Sequence, residues 1–522
     1  MGMHLCDCSK SENEEEEEED ELKETETSIT NNNNIPLNKI NSQKSFLETF
    51  KIDKKILIGK AKGDIREKYK IGRKLGEGSF GEVYLSTDKK TKKKVAVKVL
   101  PKTKSHNENM NSEILNEIEI LKTLEHQNIV KIYEFYEGKS NFYIITEFCN
   151  EGNLKRKILQ NTFLSEIELA SIMFQLFSAI SYCNTKNIMH RDLKLENIML
   201  NDKTLYNLPF IKIIDFGTAK IYENEYENLI IGTLFYMAPE VLNKQYNEKC
   251  DMWSLGVVMY YLFTKKFPFQ GQTKPKLINA IENCNYNLNL GPLKNASNEL
   301  KDLIQQLFKK NVNERISVNE ALNHPWFINL KIKEKLSELT TNQIIECLNN
   351  IKKYNPDKVI QQASIAFLIH NFPHIEGIKI ANLLYLKIDY NNNGVIEKNE
   401  FIKELTNLFE EQNEKIDTNH ILNLFEKIDA DCSGYIEHEE FIRAAANKND
   451  LLNESILKSC FDYFDKNKNG EISVDEIKNT FKNYKNQFND DEFISVIKEC
   501  DLDQNGVIDF REFKIVLEKI LI

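Results

Sequence analysis

The 522-residue sequence has no CxxC pair: its ten cysteines stand singly, apart from Cys6 and Cys8. That excludes a disulfide framework and fits a reduced, intracellular protein. Long apolar runs are missing too. The best, "LGVVMYYLF" at 255–263, is half of the roughly 18 residues that a membrane helix needs. A secretory signal is not expected, because the first ten residues lead straight into a charged, acidic segment. Nor is there a dense Lys/Arg stripe interleaved with aromatics, so nucleic acid is not an expected partner.

What is present is a normal globular composition, 41% hydrophobic and 10% aromatic, in a chain long enough for about three or four compact units. Charge is unevenly placed. Residues 12–26 hold eleven acids against Lys23, and residues 379–522 hold thirty acids against eighteen bases, while 27–378 carry a net +11. A basic middle and an acidic end suggest units with different partners and an attraction between them.

"SENEEEEEED" and "NNNN" cannot bury enough apolar surface to offset chain entropy, so residues 1–68 read as a disordered acidic and Asn-rich tail. "KSFLETFKI" at 44–52 suggests a short amphipathic turn. From Tyr69 the pattern changes: "YKIGRKL" and "KVAVKVL" alternate as strands, and "NSEILNEIEILKTL" and "ELASIMFQLFSAISYC" have helical periodicity. Strands first and helices later predict a two-lobed α+β domain over 69–327. Helices with little glycine follow over 328–378, and then a unit repeats every 36 to 40 residues across 379–522.

"GEGSFG" at 76–81 is a turn whose small residues let backbone N–H groups approach phosphates. Alone it is a weak signal. Its neighbours strengthen it: Val83 follows, "VAVK" sets Lys98 on the next strand, and Glu117 lies on a helix where it can pair with that lysine. An isolated glutamate there would more simply belong to a solvated helix face. "HRDLKLEN" at 190–197 offers Asp192 to accept a hydroxyl proton, Lys194 to steady a moving phosphoryl group and Asn197 to hold magnesium. "DFG" at 215–217 adds Asp215 as a second magnesium ligand, and "APE" at 238–240 closes the segment.

Over 69–327 the chain resembles the eukaryotic protein kinases, with five motifs in the right order. The resemblance implies ATP-binding positions at Leu75, Gly76, Gly78, Gly81, Val83, Ala96 and Lys98, a gatekeeper at Thr146, and a hinge over Glu147 to Cys149. "EGNL" stands where basophilic relatives often have "GGEL". Asn153 thus replaces an acid that contacts ribose and a substrate arginine, which weakens a basic-substrate preference and leaves Glu196 as the arginine partner. Thr233 and the lysine of "DLKLEN" imply Ser/Thr specificity. The catalytic set Asp192, Lys194, Lys98 and Glu117 argues against a scaffold that binds nucleotide without turnover.

The C-terminal repeat is D-x-[DNS]-x-[DNS]-G-x-I-x-x-x-E, four times over. Calcium takes about seven oxygens, and this spacing supplies them from one turn of chain. The ligands are Asp389, Asn391, Asn393, Val395 and Glu400; Asp429, Asp431, Ser433, Tyr435 and Glu440; Asp465, Asn467, Asn469, Glu471 and Glu476; and Asp501, Asp503, Asn505, Val507 and Glu512, with Val395, Tyr435, Glu471 and Val507 acting through their carbonyls. Gly394, Gly434, Gly470 and Gly506 make the bend, and isoleucine at the eighth position suits β-pairing between loops. Counting position nine, liganding carboxylates number three, four, two and four, so the second and fourth loops should bind tightest and the third weakest. Up to four calcium ions are expected in an all-α, calmodulin-like EF-hand domain.

A kinase, a helical junction and four EF-hands in one chain resemble the calcium-dependent protein kinases of plants and protists. The resemblance implies a calcium-activated Ser/Thr kinase using Mg-ATP on protein substrates, with a monomer expected. It also marks "KYNPDKVIQQASIAFLIHNF" at 353–372 as an autoinhibitory segment, whose Val359, Ile360, Ala363, Phe367 and Leu368 recur at helical spacing. The plainer alternative is a core helix of the EF-hand unit. Between DFG and APE, Glu223, Glu225 and Glu227 stand where many kinases are phosphorylated; they could pair with Arg191 as an exposed contact of ~1 kcal/mol, or simply be solvated. The larger switch is expected from calcium opening the EF-hand pairs to seize the junction. Finally, Gly2 in "MGMHLCDC" is a myristoylation candidate although Cys6 replaces the usual Ser/Thr. Palmitoylation of Cys6 and Cys8 would supply the second lipid needed to hold a cytoplasmic protein at a membrane; an unmodified tail is the alternative.

Overall fold

The computed structural model describes residues 58–518, apart from 59, 62, 79–80, 103–107, 157–162, 202–208, 223–225, 355–358, 373–374, 448, 452, 481–493, 495–496 and 499. Gly2, Cys6, Cys8, the acidic run and the 44–52 segment lie outside those residues. The described residues belong to one compact unit.

Six strands make the first sheet: β1 (Lys60–Ala61), β2 (Tyr69–Gly78), β3 (Gly81–Asp88), β4 (Lys94–Pro101), β5 (Ile132–Glu137) and β6 (Asn141–Glu147), in the order β1-β5-β6-β4-β3-β2. The alternation of "KVAVKVL" decides its faces. Val95 and Val97 bury into a small core with Tyr69, Tyr133 and Ile145, which leaves Ala96 and Lys98 on the opposite face. The ordered fold begins earlier than residue 69. Ile58 is buried in the main core, β1 pairs in parallel with β5, and Asp64 caps a short helix, Ile65–Lys68. The expected tail boundary therefore falls inside the fold, where Ile58 and Ile65 are both buried.

Beyond helix α1 (Glu108–Thr123), the second lobe is built on α2 (Glu166–Thr185) and α3 (Lys249–Thr264). A capping box of Ser165 and Glu168 starts α2, and its residues 169–183 are buried all round, as expected of a helix with apolar residues on every face. Between α2 and α3, the hairpin β7 (Ile198–Asn201) and β8 (Phe210–Ile213) carries the catalytic loop and the DFG turn at its ends.

The junction forms α4 (Ile332–Leu336), α5 (Thr341–Lys353) and α6 (Val359–Asn371). Helices α7 (Glu376–Ile388), α8 (Lys398–Glu411), α9 (Thr418–Ile428) and α10 (His438–Ala445) then flank the first two repeat loops; α11 (Glu454–Phe464), α12 (Val474–Thr480) and α13 (Phe510–Glu518) belong to the last two. The eighth-position isoleucines pair as expected. Ile396 in β9 (Ile396–Glu397) faces Ile436 in β10 (Tyr435–Ile436), and Ile472 in β11 (Glu471–Ile472) faces Ile508 in β12 (Ile508–Asp509).

Helix α6 lies between the two halves of the repeat domain, against α10 and α11. Phe367 and Leu368 are buried, and the Phe367 ring sits 4.5 Å from that of Tyr463. The side chains of Val359, Ile360 and Ala363 lie outside the described residues. The far end of α6 rests on the kinase sheet, where His370 meets Tyr133 edge-on at 5.6 Å and the Lys93 ammonium donates to the Asn371 carbonyl. Both elements of the charge asymmetry meet here: Lys131 pairs with Glu439 at 2.8 Å, and Lys186 pairs with Glu437.

Candidate active site and calcium loops

Strand register assembles the nucleotide face. Val83 lies opposite Lys98, Leu85 opposite Ala96, and Ala96 opposite Thr146, so β3, β4 and β6 bring the expected residues side by side. Leu75 is exposed on β2. The glycine at 81 is required: a Cβ there would come within 2.0 Å of the Val99 carbonyl oxygen. A Cβ at Gly76 would meet nothing within 4 Å among the described residues, which leaves room for a ligand against the backbone. In the hinge, the Glu147 side chain turns away to Lys212 (2.8 Å) and Asn201 (3.2 Å). Cys149 is buried, and burial pushes its thiol up to about 12.

Lys98 donates to Glu117 at 2.6 Å and to Asp215 at 2.7 Å. Glu117 is thus a partner of the lysine and no member of a solvated face. Burial opposes the Lys98 charge, but the two carboxylates hold the ammonium above its usual range. Burial raises the Glu117 carboxyl; Asp215, despite burial, is drawn down by Lys98. A closed lysine–glutamate pair across β4 and α1 is what phosphoryl transfer in a kinase site demands.

The catalytic loop is clamped from beneath. Buried Asp251, on α3, accepts the backbone N–H groups of His190 (2.8 Å) and Arg191 (2.9 Å), and Arg191 and Asp215 both adopt positive φ, near 65°. The Asp192 carboxylate accepts the Thr233 hydroxyl at 2.8 Å and the Lys194 ammonium, which also reaches Thr233 at 3.2 Å. Asn197 is fixed by its donation to the Asp192 carbonyl at 3.0 Å. Asp192, Lys194, Asn197, Asp215 and Thr233 therefore converge. Asp251, which opens "DMWSLG", was not anticipated as a site residue.

One expectation needs correction. Glu227 is not an exposed contact. It is buried, with Lys220 at 2.5 Å and Arg191 at 3.5 Å, and its backbone pairs with Tyr246, which draws that part of the segment inward. Glu223 and Glu225 lie outside the described residues. Glu196, the expected arginine partner, forms a partly exposed pair with the chain's own Lys155 at 2.5 Å, while Asn153 caps the backbone N–H of Arg156.

The four loops share one backbone shape. Each bend glycine has φ between 79° and 91°. The twelfth-position glutamate folds back on its loop in every case: Glu400 accepts Asn391 N–H, Glu440 accepts Ala430, Glu476 accepts Asn467 and Glu512 accepts Leu502. The fit to calcium follows from the donors. Asp429, Asp431 and Glu440 bring carboxylate oxygens within 4.8 Å of one another, as do Asp501, Asp503 and Glu512. Burial, with Asp431 and Glu437 adding to it, pushes Glu440 up to about 8, a charge cost that a bound cation would relieve. The second loop also touches the kinase, since Glu437, its ninth position, is the partner of Lys186.

With this geometry in view, the comparisons with known proteins agree. The protein kinase domain family matches residues 69–327, and the EF-hand domain pair family matches 380–446 and 454–518. Calcium-dependent protein kinase 4 of Plasmodium berghei is 32% identical over 464 residues, covering 87% of each chain. Calcium-dependent protein kinase 4 of Plasmodium falciparum is 32% identical over 467 residues, again covering 87% of each. Calcium-dependent protein kinase 5 of Plasmodium falciparum is 32% identical over 494 residues, covering 91% of this chain and 82% of the relative. The chain belongs to the calcium-dependent protein kinase family. As a member it is a calcium-activated serine/threonine protein kinase, a transferase acting with ATP. Nothing found favours the non-catalytic scaffold.

Proposed function

We propose that calcium activates this kinase by holding helix α6 among the EF-hand helices, clear of the catalytic cleft. The observation that carries the reading is the seat of α6. Its contacts are with Tyr463, Cys460, Tyr133, Lys93 and Glu439, while Lys98–Glu117–Asp215 and Asp192–Thr233 are assembled as catalysis requires. A switch from mostly off to mostly on needs roughly 5 kcal/mol of differential binding, which several cooperating loops can supply. All four loops serve as calcium sites in this reading.

Within the cleft, Asp192 accepts the proton of a substrate Ser or Thr hydroxyl, and Thr233 orients that carboxylate. Lys194 steadies the transferring phosphoryl group. Lys98, kept charged and fixed by Glu117, holds the α- and β-phosphates. Asn197 and Asp215 would hold magnesium, which neutralises phosphate charge when bound. Buried Glu227 gives Arg191 a fixed carboxylate in place of a phosphate. Lipidation at Gly2, with Cys6 and Cys8, would anchor this otherwise cytoplasmic, monomeric kinase to a membrane; incorporation of labelled myristate into the wild type and not Gly2→Ala checks it.

The test is transfer of labelled phosphate from ATP to a Ser-containing peptide, in calcium and in chelator, beside Asp192→Ala. Activity in calcium alone, absent from the variant, is expected. Equal activity in both conditions would move the switch away from the EF-hands.

A further inference from the structure

The first calcium loop is clasped from two sides. On one side it presses on the kinase: a Cβ at Gly394 would lie 2.7 Å from Tyr182 Cβ and 3.1 Å from His126 Cδ2. On the other stands α4, anchored by buried Ile332 and Leu336 and by the Ser337 hydroxyl on the Lys333 carbonyl. This rigid turn delivers the Lys333 ammonium onto the loop, where it donates to the carbonyls of Asp389 (2.6 Å) and Tyr390 (3.1 Å).

The loop around that ammonium is already shaped for a cation. Asp389 is 1% exposed; one of its carboxylate oxygens accepts the Gly394 N–H at 3.0 Å, and the other has no hydrogen-bond partner. Glu400 accepts the N–H groups of Asn391 (2.9 Å) and Glu397 (3.1 Å). Yet the first loop has asparagine at its third and fifth positions, where the second has Asp431 and Ser433 and the fourth Asp503 and Asn505. The liganding carboxylates Asp389 and Glu400 therefore share their surroundings with the Lys333 ammonium, whose charge burial opposes and these two, with Glu404 and Glu334, support.

We propose that Lys333 is a tethered cation at the first calcium loop that lowers its affinity for calcium. This rests on the reading that the loop is a calcium site. A positive charge within Coulombic reach of the liganding carboxylates disfavours a second, divalent one, and its low-dielectric surroundings prevent full screening. The first loop then fills last, or nearly so, below the rank its three carboxylates alone would give it. The lysine belongs to the junction and not to the EF-hand, so a shift of α4 changes the calcium affinity of that loop.

The test uses the full-length chain carrying Glu440→Gln, Glu476→Gln and Glu512→Gln, so that the first loop alone is complete. Binding of radioactive calcium by equilibrium dialysis is compared with lysine, Lys333→Met and Lys333→Arg at that position; Lys333→Gln replaces Met should the latter not fold. The neutral variant should bind about tenfold more tightly and the arginine variant like the parent. Equal or weaker binding by the neutral variant overturns the tethered cation while leaving the site in place. No binding by any of them up to millimolar calcium, with Glu400→Gln in the otherwise wild-type chain removing no bound ion, overturns the calcium reading of this loop as well.

Discussion

Glu227 offers the sharpest test of how the activation segment is held. Glu227→Gln keeps the size of the side chain and its backbone pairing with Tyr246, but removes the charge facing Arg191 and Lys220. Breaking a buried ion pair costs about 3–5 kcal/mol when a charge is left stranded. Here the loss is smaller, because Arg191 keeps its 2.7 Å bond to the Thr218 carbonyl and Lys220 is half exposed. About 2 kcal/mol remains, or roughly 30-fold. Since Arg191 adjoins Asp192, the loss should appear in kcat/KM for peptide at saturating calcium, with KM for ATP within about twofold. Lys220→Ala should cost less than about 1 kcal/mol, as an exposed partner does. A Glu227→Gln enzyme with full kcat/KM would refute the idea that this carboxylate replaces an activating phosphate.

Other outcomes follow from the same contacts. Gly394→Ala should loosen the regulatory domain from the kinase, raising protease sensitivity, because its Cβ meets Tyr182; Gly506→Ala has a similar φ of 88° but its Cβ would meet none of the described residues within 4 Å, so it should strain its loop without undocking. Calcium titrations should lose their tightest sites in Glu440→Gln and Glu512→Gln and change least at high affinity in Glu476→Gln. Docking of α6 should weaken in acid at saturating calcium. Burial, reinforced by Lys131 and opposed by Glu439, holds His370 down to about 4, with Lys93 and Tyr133 also facing it. The released helix would bind its proton near 6.5, so stability is full above that pH and falls by roughly 1.4 kcal/mol per unit down to about 4. Limited proteolysis at pH 7.5 and 5.5 checks this, and His370→Gln should flatten the difference.

The legible parts of this protein are those whose chemistry is local in sequence. Asp192, Lys194 and Asn197 lie within six residues, and each calcium loop is twelve residues of fixed spacing, so residue type alone marks them. What escaped depends on distant partners. Lys131 and Glu439 are 308 positions apart and Lys186 and Glu437 are 251 apart, and surface lysines and glutamates carry no label for whom they meet. Glu227 reads as one more glutamate in an acidic loop until Tyr246 draws it inward. Ile58 ends the three-residue apolar run Ile56-Leu57-Ile58, too short to mark an element by its periodicity, so its burial is invisible without the sheet edge beside it. Lys155 and Glu196 show the same limit within the cleft, being 41 residues apart.

The central claim is that the C-terminal part, residues 331–522, makes the kinase calcium-dependent through α6. The most direct measurement is the peptide kinase activity of a chain ending at Leu330, with and without calcium. The account predicts activity that is independent of calcium, while the full-length chain is silent in chelator. A truncated enzyme that still required calcium would contradict it.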